Sequence, residues 1–309
     1  MIFSVTILGS SSALPTVTRF PSAHVINAHE RLFLVDCAEG TQMQLRKFHI
    51  KMNRINNIFI SHLHGDHVLG LFGLISTFNL LSRKAPLNIY AHPDLEKILV
   101  MNTQFFTDNI TFPVKFHPLD TAVVQTIYED QCITVSTLPL RHRMPTVGFL
   151  FKEKQQQPNI RKDLIDKYSL GLADIVRVKN GEGFTTSTGE HIPSSELTYY
   201  SHLPRSYAYC SDTLYSERLV GLVKNVDLLY HEATFLTSEL SLARQTGHST
   251  AAQAATVARK ANAGRLIIGH FSSRYKSAKQ HEAEAREIFP NTAAVDDGQV
   301  YSIAEKKYL

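Results

Sequence analysis

Four side chains of metal-binding type fall within six positions of one segment, Ser61-His62-Leu63-His64-Gly65-Asp66-His67. They follow the apolar run Asn57-Ile58-Phe59-Ile60 and precede a glycine-containing helix start. At a strand end the chain can wrap so that the two histidines of His-x-His face one cation while Asp66 and His67 reach a second. The alternative is a His-rich loop without a metal. Such a loop has no need of Gly65 between the two pairs, nor of three neutral imidazoles and a carboxylate at one strand terminus.

A two-metal site needs more than four ligands, one of them an anion able to bridge, and these are expected from later strand ends of the same sheet. Three residues stand in the right order: His142 after the strand-like run 133–138, Asp212 after 207–211, and His270 after 265–269. Singly, each also reads as structural: a polar strand cap, a turn aspartate, a partly buried histidine. It is the ensemble that points to a metal centre. Asp36, in Leu34-Val35-Asp36-Cys37-Ala38-Glu39-Gly40, is a further polar residue after an early strand, and a helix N-cap or turn explains it equally well.

The elements that would position these residues are mixed. Strand-like runs occur at 3–8, 23–26, 32–35, 58–60, 87–90, 133–138 and 147–151, with helical periodicity at 41–48, 69–81 and 93–102. A second cycle follows, with strands at 207–210, 228–230 and 265–268 and helices at 216–224, 250–261 and 278–288. The halves share a layout, so the class is α/β. Thr250 to Ala261 is rich in helix formers, and His248-Ser249 before it offers an N-cap.

Residues 152–204 break the pattern, with the polar run Lys154-Gln155-Gln156-Gln157-Pro158 and Gly181-Glu182-Gly183. They read as an insertion in a single 309-residue domain. Positions 152–179 hold seven basic and four acidic residues, a net of +3 that could grip phosphates or simply be a solvated excursion. The whole chain carries a formal +4, which is compatible with a polyanionic partner without requiring one. With 43% hydrophobic and 19% charged residues, the composition excludes a disordered or collagen-like chain. Cys37, Cys132 and Cys210 are odd in number and never in a Cys-x-x-Cys pair, so a reducing, cytoplasmic compartment is expected. The longest apolar-rich stretch, 68–81, is too short to span a membrane.

The motif His62-x-His64-x-Asp66-His67 resembles the signature of the metallo-β-lactamase superfamily, and the likeness runs from Phe3 to about Ile303. Two further motifs, His231-Glu232-Ala233-Thr234-Phe235 and Gly247-His248-Ser249-Thr250, are similar to the paired HEAT and HST motifs of the ribonuclease Z family of tRNA 3′-processing endonucleases. Phe271-Ser272-Ser273-Arg274-Tyr275 is also similar to that family.

The resemblance implies an αββα four-layer sandwich with an inserted, exosite-like arm at 152–204. It implies two Zn²⁺ per subunit, one held by His62, His64 and His142, the other by Asp66, His67 and His270, with Asp212 bridging and Asp36 behind the ligands. It implies water as nucleophile with Asp66 orienting it, and His248, charged by Glu232, protonating the departing 3′-oxygen. The tRNA then keeps a 3′-OH and the trailer a 5′-phosphate. Arg19, Ser273, Arg274 and Tyr275 would touch precursor tRNA, and the enzyme would be a homodimer whose arm serves the other subunit's site. Two departures stand out. The glycine- and proline-rich arm motif is replaced by Lys167-Tyr168-Ser169-Leu170-Gly171-Leu172-Ala173, and the loop 13–20, which retains Pro15 and Arg19, has Phe20 where asparagine is common. A phosphodiesterase for small nucleotides and a non-catalytic RNA-binding subunit are the remaining alternatives.

Overall fold

Alternation of apolar side chains along each strand divides this chain into layers. The computed structural model describes residues 1–14, 16–106 and 110–306, so Pro15 lies outside the described residues. Two compact units are present, Met1–Lys152 with Ser206–Ile303, and Glu153–Arg205 with residues 304–306.

The larger unit contains strands β1 (Phe3–Gly9), β2 (Ala23–Ala28), β3 (Arg31–Val35), β4 (Ile55–Phe59), β5 (Leu87–Ala91), β6 (Val114–Pro118), β7 (Thr126–Glu129), β8 (Ile133–Pro139), β9 (Val147–Glu153), β10 (Ser206–Cys210), β11 (Leu228–Glu232), β12 (Arg265–Gly269), β13 (Thr292–Ala294) and β14 (Val300–Ser302). They form two seven-stranded sheets, ordered β14-β1-β2-β3-β4-β5-β6 and β13-β12-β11-β10-β9-β8-β7. The first sheet is antiparallel from β14 to β3 and parallel from β3 to β6. In the second, β10 to β13 are parallel and β9 joins β10 antiparallel.

On the inner faces, Phe33, Phe59 and Val35 of the first sheet meet Phe149, Phe151, Tyr207 and Tyr230 of the second in one buried core. The alternate residues Leu34, Ile58 and Ile89 face outward beneath helices α1 (Thr41–Lys47), α2 (Gly65–Val68), α3 (Gly70–Leu80) and α4 (Asp94–Phe106). On the far side Ala208, Leu229, Leu266 and Ile268 are covered by α5 (Glu217–Leu222), α7 (Ala251–Lys260) and α8 (Lys279–Ile288), while α6 (Leu240–Thr246) precedes α7 in the chain. A four-layer αββα sandwich follows from this period of two, each sheet burying both faces.

Two sequence expectations are corrected. The N-cap of α7 is Thr250, not Ser249: its side chain accepts from Gln253 N, and Gln253 reaches back to Thr250 N, a reciprocal capping box that Ser249 one residue earlier cannot make. And His142, Asp212 and His270 follow strands of the second sheet, whereas His62 to His67 follow the first, so the candidate ligands come from both sheets.

The smaller unit has helices Lys162–Tyr168 and Leu172–Lys179 and two short two-stranded pairings. Ile160, Leu170, Val178, Ile192 and Leu197 form a core of its own. Its ends are fastened to each other: Arg205 grips Glu153 with two guanidinium bonds of 2.9 and 2.7 Å, and Glu153 N donates to Arg205 O at 2.9 Å. Among the described residues, no helix is long and apolar enough to cross a membrane.

Candidate metal centre

The His62 to His67 segment leaves the C-terminal end of β4 and immediately enters α2, with Asp66 and His67 in its single turn. Close packing fixes that turn. A Cβ on Gly70 would lie 1.9 Å from Ala38 O, so α3 presses on the chain after β3, and Cys37 N donates to His67 O at 2.8 Å.

Two groups of ligand atoms converge, His62, His64, His142 and Asp212 in one, and Asp66, His67 and His270 in the other. In the first, His62 Nε2 is 3.0 Å from His64 Nδ1 and 3.5 Å from Asp212 Oδ2, and His142 Nε2 is 3.4 Å from His64 Nδ1. In the second, His270 Nε2 is 3.3 Å from Asp66 Oδ2, with His67 Nε2 3.6 Å from the same oxygen. Asp212 joins them, because its Oδ1 lies 3.2 Å from His270 and 3.4 Å from His67 while its Oδ2 faces His62. A tetrahedral cation with ligand bonds near 2.1 Å has ligands about 3.4 Å apart, so these spacings suit a bound ion better than mutual hydrogen bonds. His67 Nε2 is buried without a hydrogen-bond partner, as expected of an atom whose partner is a metal.

The opposite ring nitrogens set the tautomers. His142 Nδ1 lies 2.8 Å from Gly247 O and His67 Nδ1 lies 2.7 Å from Asp36 Oδ2, so both rings turn the Nε2 lone pair to the centre. Gly247, at φ 81° beyond α6, adopts the left-handed conformation that ends that helix. Asp36 also accepts from Ser61 N at 2.7 Å, Ser61 Oγ at 2.9 Å and Tyr209 Oη at 2.7 Å. Burial favours its neutral form, but without metal a protonated His67 and these donors hold its carboxyl below the ordinary range. Burial depresses the pKa of His62 and His142, favouring the neutral form that a metal ligand requires, whereas without metal the charges of Asp212, Asp36 and Asp66 outweigh burial at His67 and raise it. Asp212 is fully buried, yet His270, His67 and His62 around it drive its carboxyl well below the usual value.

Glu232, at the end of β11, is fully buried and accepts from Thr213 N (3.1 Å), Thr234 N (2.9 Å), Thr234 Oγ1 (2.7 Å), Ser249 N (3.0 Å) and His248 Nδ1 (2.9 Å). Burial alone would lower the His248 pKa; the Glu232 charge, with Asp212, instead raises it to about 9. Without metal this favours the imidazolium at neutral pH, with the Nδ1 proton directed at Glu232 Oε1.

Other sequence candidates have local partners. The Arg19 guanidinium bonds Ser10 Oγ at 2.6 Å and Val295 O at 2.7 Å, pairs with Asp296 and lies 5.1 Å over the Phe271 ring. Arg274 sits 3.5 Å from Glu239 and over the Phe235 ring, and Tyr275 Oη accepts from Leu236 N at 3.1 Å. Ser273 is exposed. Sequence reasoning assigned no role to Thr234, whose hydroxyl bonds Glu232 and lies 2.9 Å from His270 Nδ1, nor to Tyr209 behind Asp36. The place of Thr234 in His231-Glu232-Ala233-Thr234, two residues beyond Glu232, was the available signal.

The four layers and a paired ligand set across two sheets define a hydrolase of the metallo-β-lactamase superfamily. Solved structures agree on the fold: a Bacillus subtilis metallo-beta-lactamase fold protein superposes with a TM-score of 0.69 at 17% identity over 98% of this chain and 100% of that one. The short form of human tRNase Z superposes with a TM-score of 0.72 at 28% identity, covering 97% of this chain and 99% of that one. A protein-family profile described as Anti-Pycsar protein Apyc1 matches residues 3–155, which include His62 to His67 and His142. Over nearly the full length, the chain is 49% identical to the ribonuclease Z of Phocaeicola vulgatus, spanning 94% of each chain, and 47% identical to that of Bacteroides fragilis, spanning 97% of this chain and 99% of the relative. The chain belongs to the ribonuclease Z family.

Proposed function

We propose that this protein is a metal-dependent endoribonuclease that removes the 3′ trailer from precursor tRNA, leaving a 3′-OH on the tRNA and a 5′-phosphate on the trailer. The observation that carries the reaction is the placement of Asp212 between two ligand groups beside the Glu232–His248 pair. His62, His64 and His142 would hold one cation, Asp66, His67 and His270 the other, and Asp212 would bridge them. Imidazole nitrogens and carboxylates are a donor set suited to zinc. When bound, two such ions make water nucleophilic at neutral pH and offset the charge that builds on the phosphate.

The chain's own residues do the rest. Asp66 turns Oδ2 toward His270 and His67, which leaves Oδ1 to orient the attacking water and take its proton. Asp36 and Gly247 hold His67 and His142 in the ligating tautomer. His248 Nε2 gives its proton to the departing 3′-oxygen, and Glu232 keeps His248 charged until that moment. Because the nucleophile is water and not the RNA's 2′-OH, no 2′,3′-cyclic phosphate forms.

A homodimer is part of the same proposal. On α4 and at the end of α3, Met101 (60% exposed), Phe105 (77%) and Leu80 (82%) present apolar side chains to solvent, as a face that meets a second copy would. The smaller unit would bind tRNA, and the three free cysteines suit the cytoplasm. Incubation with a 3′-extended precursor tRNA, with and without a chelator, and mapping of both new ends tests the function. Cyclic phosphate at the tRNA end, or cutting that survives chelation, would refute it.

A further inference from the structure

A cleft of about 680 Å³ lies among the 18–19 loop, the last turn of α1 and the start of α8. Arg19, Lys47, Lys276, Lys279 and Arg286 line it, with the carboxylates of Glu282, Asp296 and Asp297, the last of which accepts from Ser10 Oγ and Phe20 N at 2.7 Å each. Two of these cations are compensated in place, Arg19 by Asp296 and Arg286 by Glu282 at 2.7 Å. Lys47, Lys276 and Lys279 are exposed, and among the described residues none is ion-paired with a carboxylate. They come from two separate parts of the chain, Lys47 at the end of α1 and Lys276 with Lys279 at the start of α8, so a single solvated helix face does not account for them. Lys279 is also the first residue of α8, where the helix dipole disfavours a cation. Like charges brought to one cleft repel one another, and an anion lying between them relieves that repulsion.

The cleft is anchored next to the chemistry. Arg19 stacks over Phe271, the residue after His270, and Ser12 N donates to Phe271 O at 3.1 Å. Lys276 is six residues beyond His270, so its backbone lies at most about 20 Å from that ligand. We infer that this cleft is a track for the phosphodiester backbone of the unpaired RNA next to the cut, with Lys47, Lys276 and Lys279 each facing a phosphate. The inference rests on the reading of this chain as an endoribonuclease for precursor tRNA. Lysine serves such a track well, since it attracts phosphate as a point charge and reads no base, and trailers share a backbone but not a sequence. Asp296 and Glu282 keep phosphate away from the two arginines, which leaves the lysines to set the path.

The unpaired strand could be the trailer or the acceptor end, and binding to metal-free protein in chelator separates the two without cleavage. Anisotropy titrations at several salt concentrations would compare a precursor tRNA carrying a ten-nucleotide trailer with the mature tRNA. For the Lys47→Ala/Lys276→Ala/Lys279→Ala variant, loss of three single-strand phosphate contacts should reduce the slope of log K against log salt by about 2. A reduction with the precursor alone assigns the track to the trailer; an equal reduction with both assigns it to the acceptor end. The Lys→Arg triple variant should keep the wild-type slope. Unchanged slope and affinity with both RNAs, in an alanine variant of wild-type melting temperature and zinc content, would overturn the inference. If the wild type cleaves precursor tRNA and the slope is unchanged, only the cleft fails; if it neither binds nor cleaves it, the functional reading falls too.

Discussion

The Thr234 hydroxyl stands 2.9 Å from His270 Nδ1 while donating to Glu232 Oε2 at 2.7 Å. One side chain thus couples a proposed metal ligand to the carboxylate that charges His248. With its own proton spent on Glu232, Thr234 accepts the His270 Nδ1 proton and leaves Nε2 free to ligate. Thr234→Val keeps the shape and removes both bonds. Partners of this kind behind a ligand are worth 10–100-fold in metal affinity or activity. The expected outcome is weaker binding of one zinc equivalent by about that factor, restored in Thr234→Ser. A calorimetric zinc titration indistinguishable from wild type would refute the coupling.

His248→Ala should slow cleavage by about 10²–10⁴, the usual contribution of a positioned general acid, with zinc content unchanged. A sharper measurement replaces the leaving 3′-oxygen by sulfur, which departs without protonation. The variant should cut that substrate at nearly the wild-type rate. If sulfur substitution gives no recovery, His248 is not the proton donor.

Without metal, the Glu232–His248 pair makes a pH prediction of definite sign. The folded-state pKa of His248, about 9, lies above its unfolded value of 6.5, so its stabilisation is complete below about pH 6.5 and lost as pH rises through 9. Metal-free wild type should therefore lose melting temperature between those limits relative to metal-free His248→Gln. In Glu232→Gln, histidine NMR should show His248 titrating well below 9. A His248 that titrates alike with and without the Glu232 charge would exclude the pairing.

The elements around the site were legible because their signals are local. The strands 3–8, 87–90 and 265–268 and the helices 41–48 and 278–288 were each read within about a residue of their observed bounds, since a sheet buried on both faces leaves continuous apolar runs. β6 and β7 carry no such signal because their residues are half-buried or exposed and mix polar with apolar. The smaller unit was legible as a change in composition, but its helices were not, because a core as small as Ile160, Leu170, Val178, Ile192 and Leu197 imposes no long periodicity. The His62 to His67 cluster was visible as types and spacing. That Asp212 and His270 reach it from the other sheet is a property of packing, which no local pattern carries.

Asp212→Ala tests that cross-sheet bridge. The residue is buried, and its two oxygens lie within 3.5 Å of His62, His67 and His270, so its removal deprives both proposed ion positions of a ligand. The variant should purify with less than one zinc per chain and should have lost essentially all nuclease activity. Elemental analysis checks the first point and precursor cleavage the second. An inactive variant that still holds two zinc ions would show that Asp212 does not bridge.

Excision of residues 154–199, closed by a short Gly-Ser linker, asks whether the smaller unit holds the substrate. The operation is feasible because Glu153 N bonds Arg205 O at 2.9 Å, so the linker and the retained residues 200–204 need only close a loop between two positions that already adjoin. The segment also buries a core of its own, so its loss leaves the sandwich core whole. If that unit grips tRNA, the shortened protein should keep wild-type zinc content and hydrolyse a small activated phosphodiester normally. Its kcat/KM on precursor tRNA should fall by at least 10–100-fold, mostly through KM, as expected when binding contacts remote from the reacting bond are removed. Undiminished trimming of precursor tRNA would show that the segment does not hold the substrate.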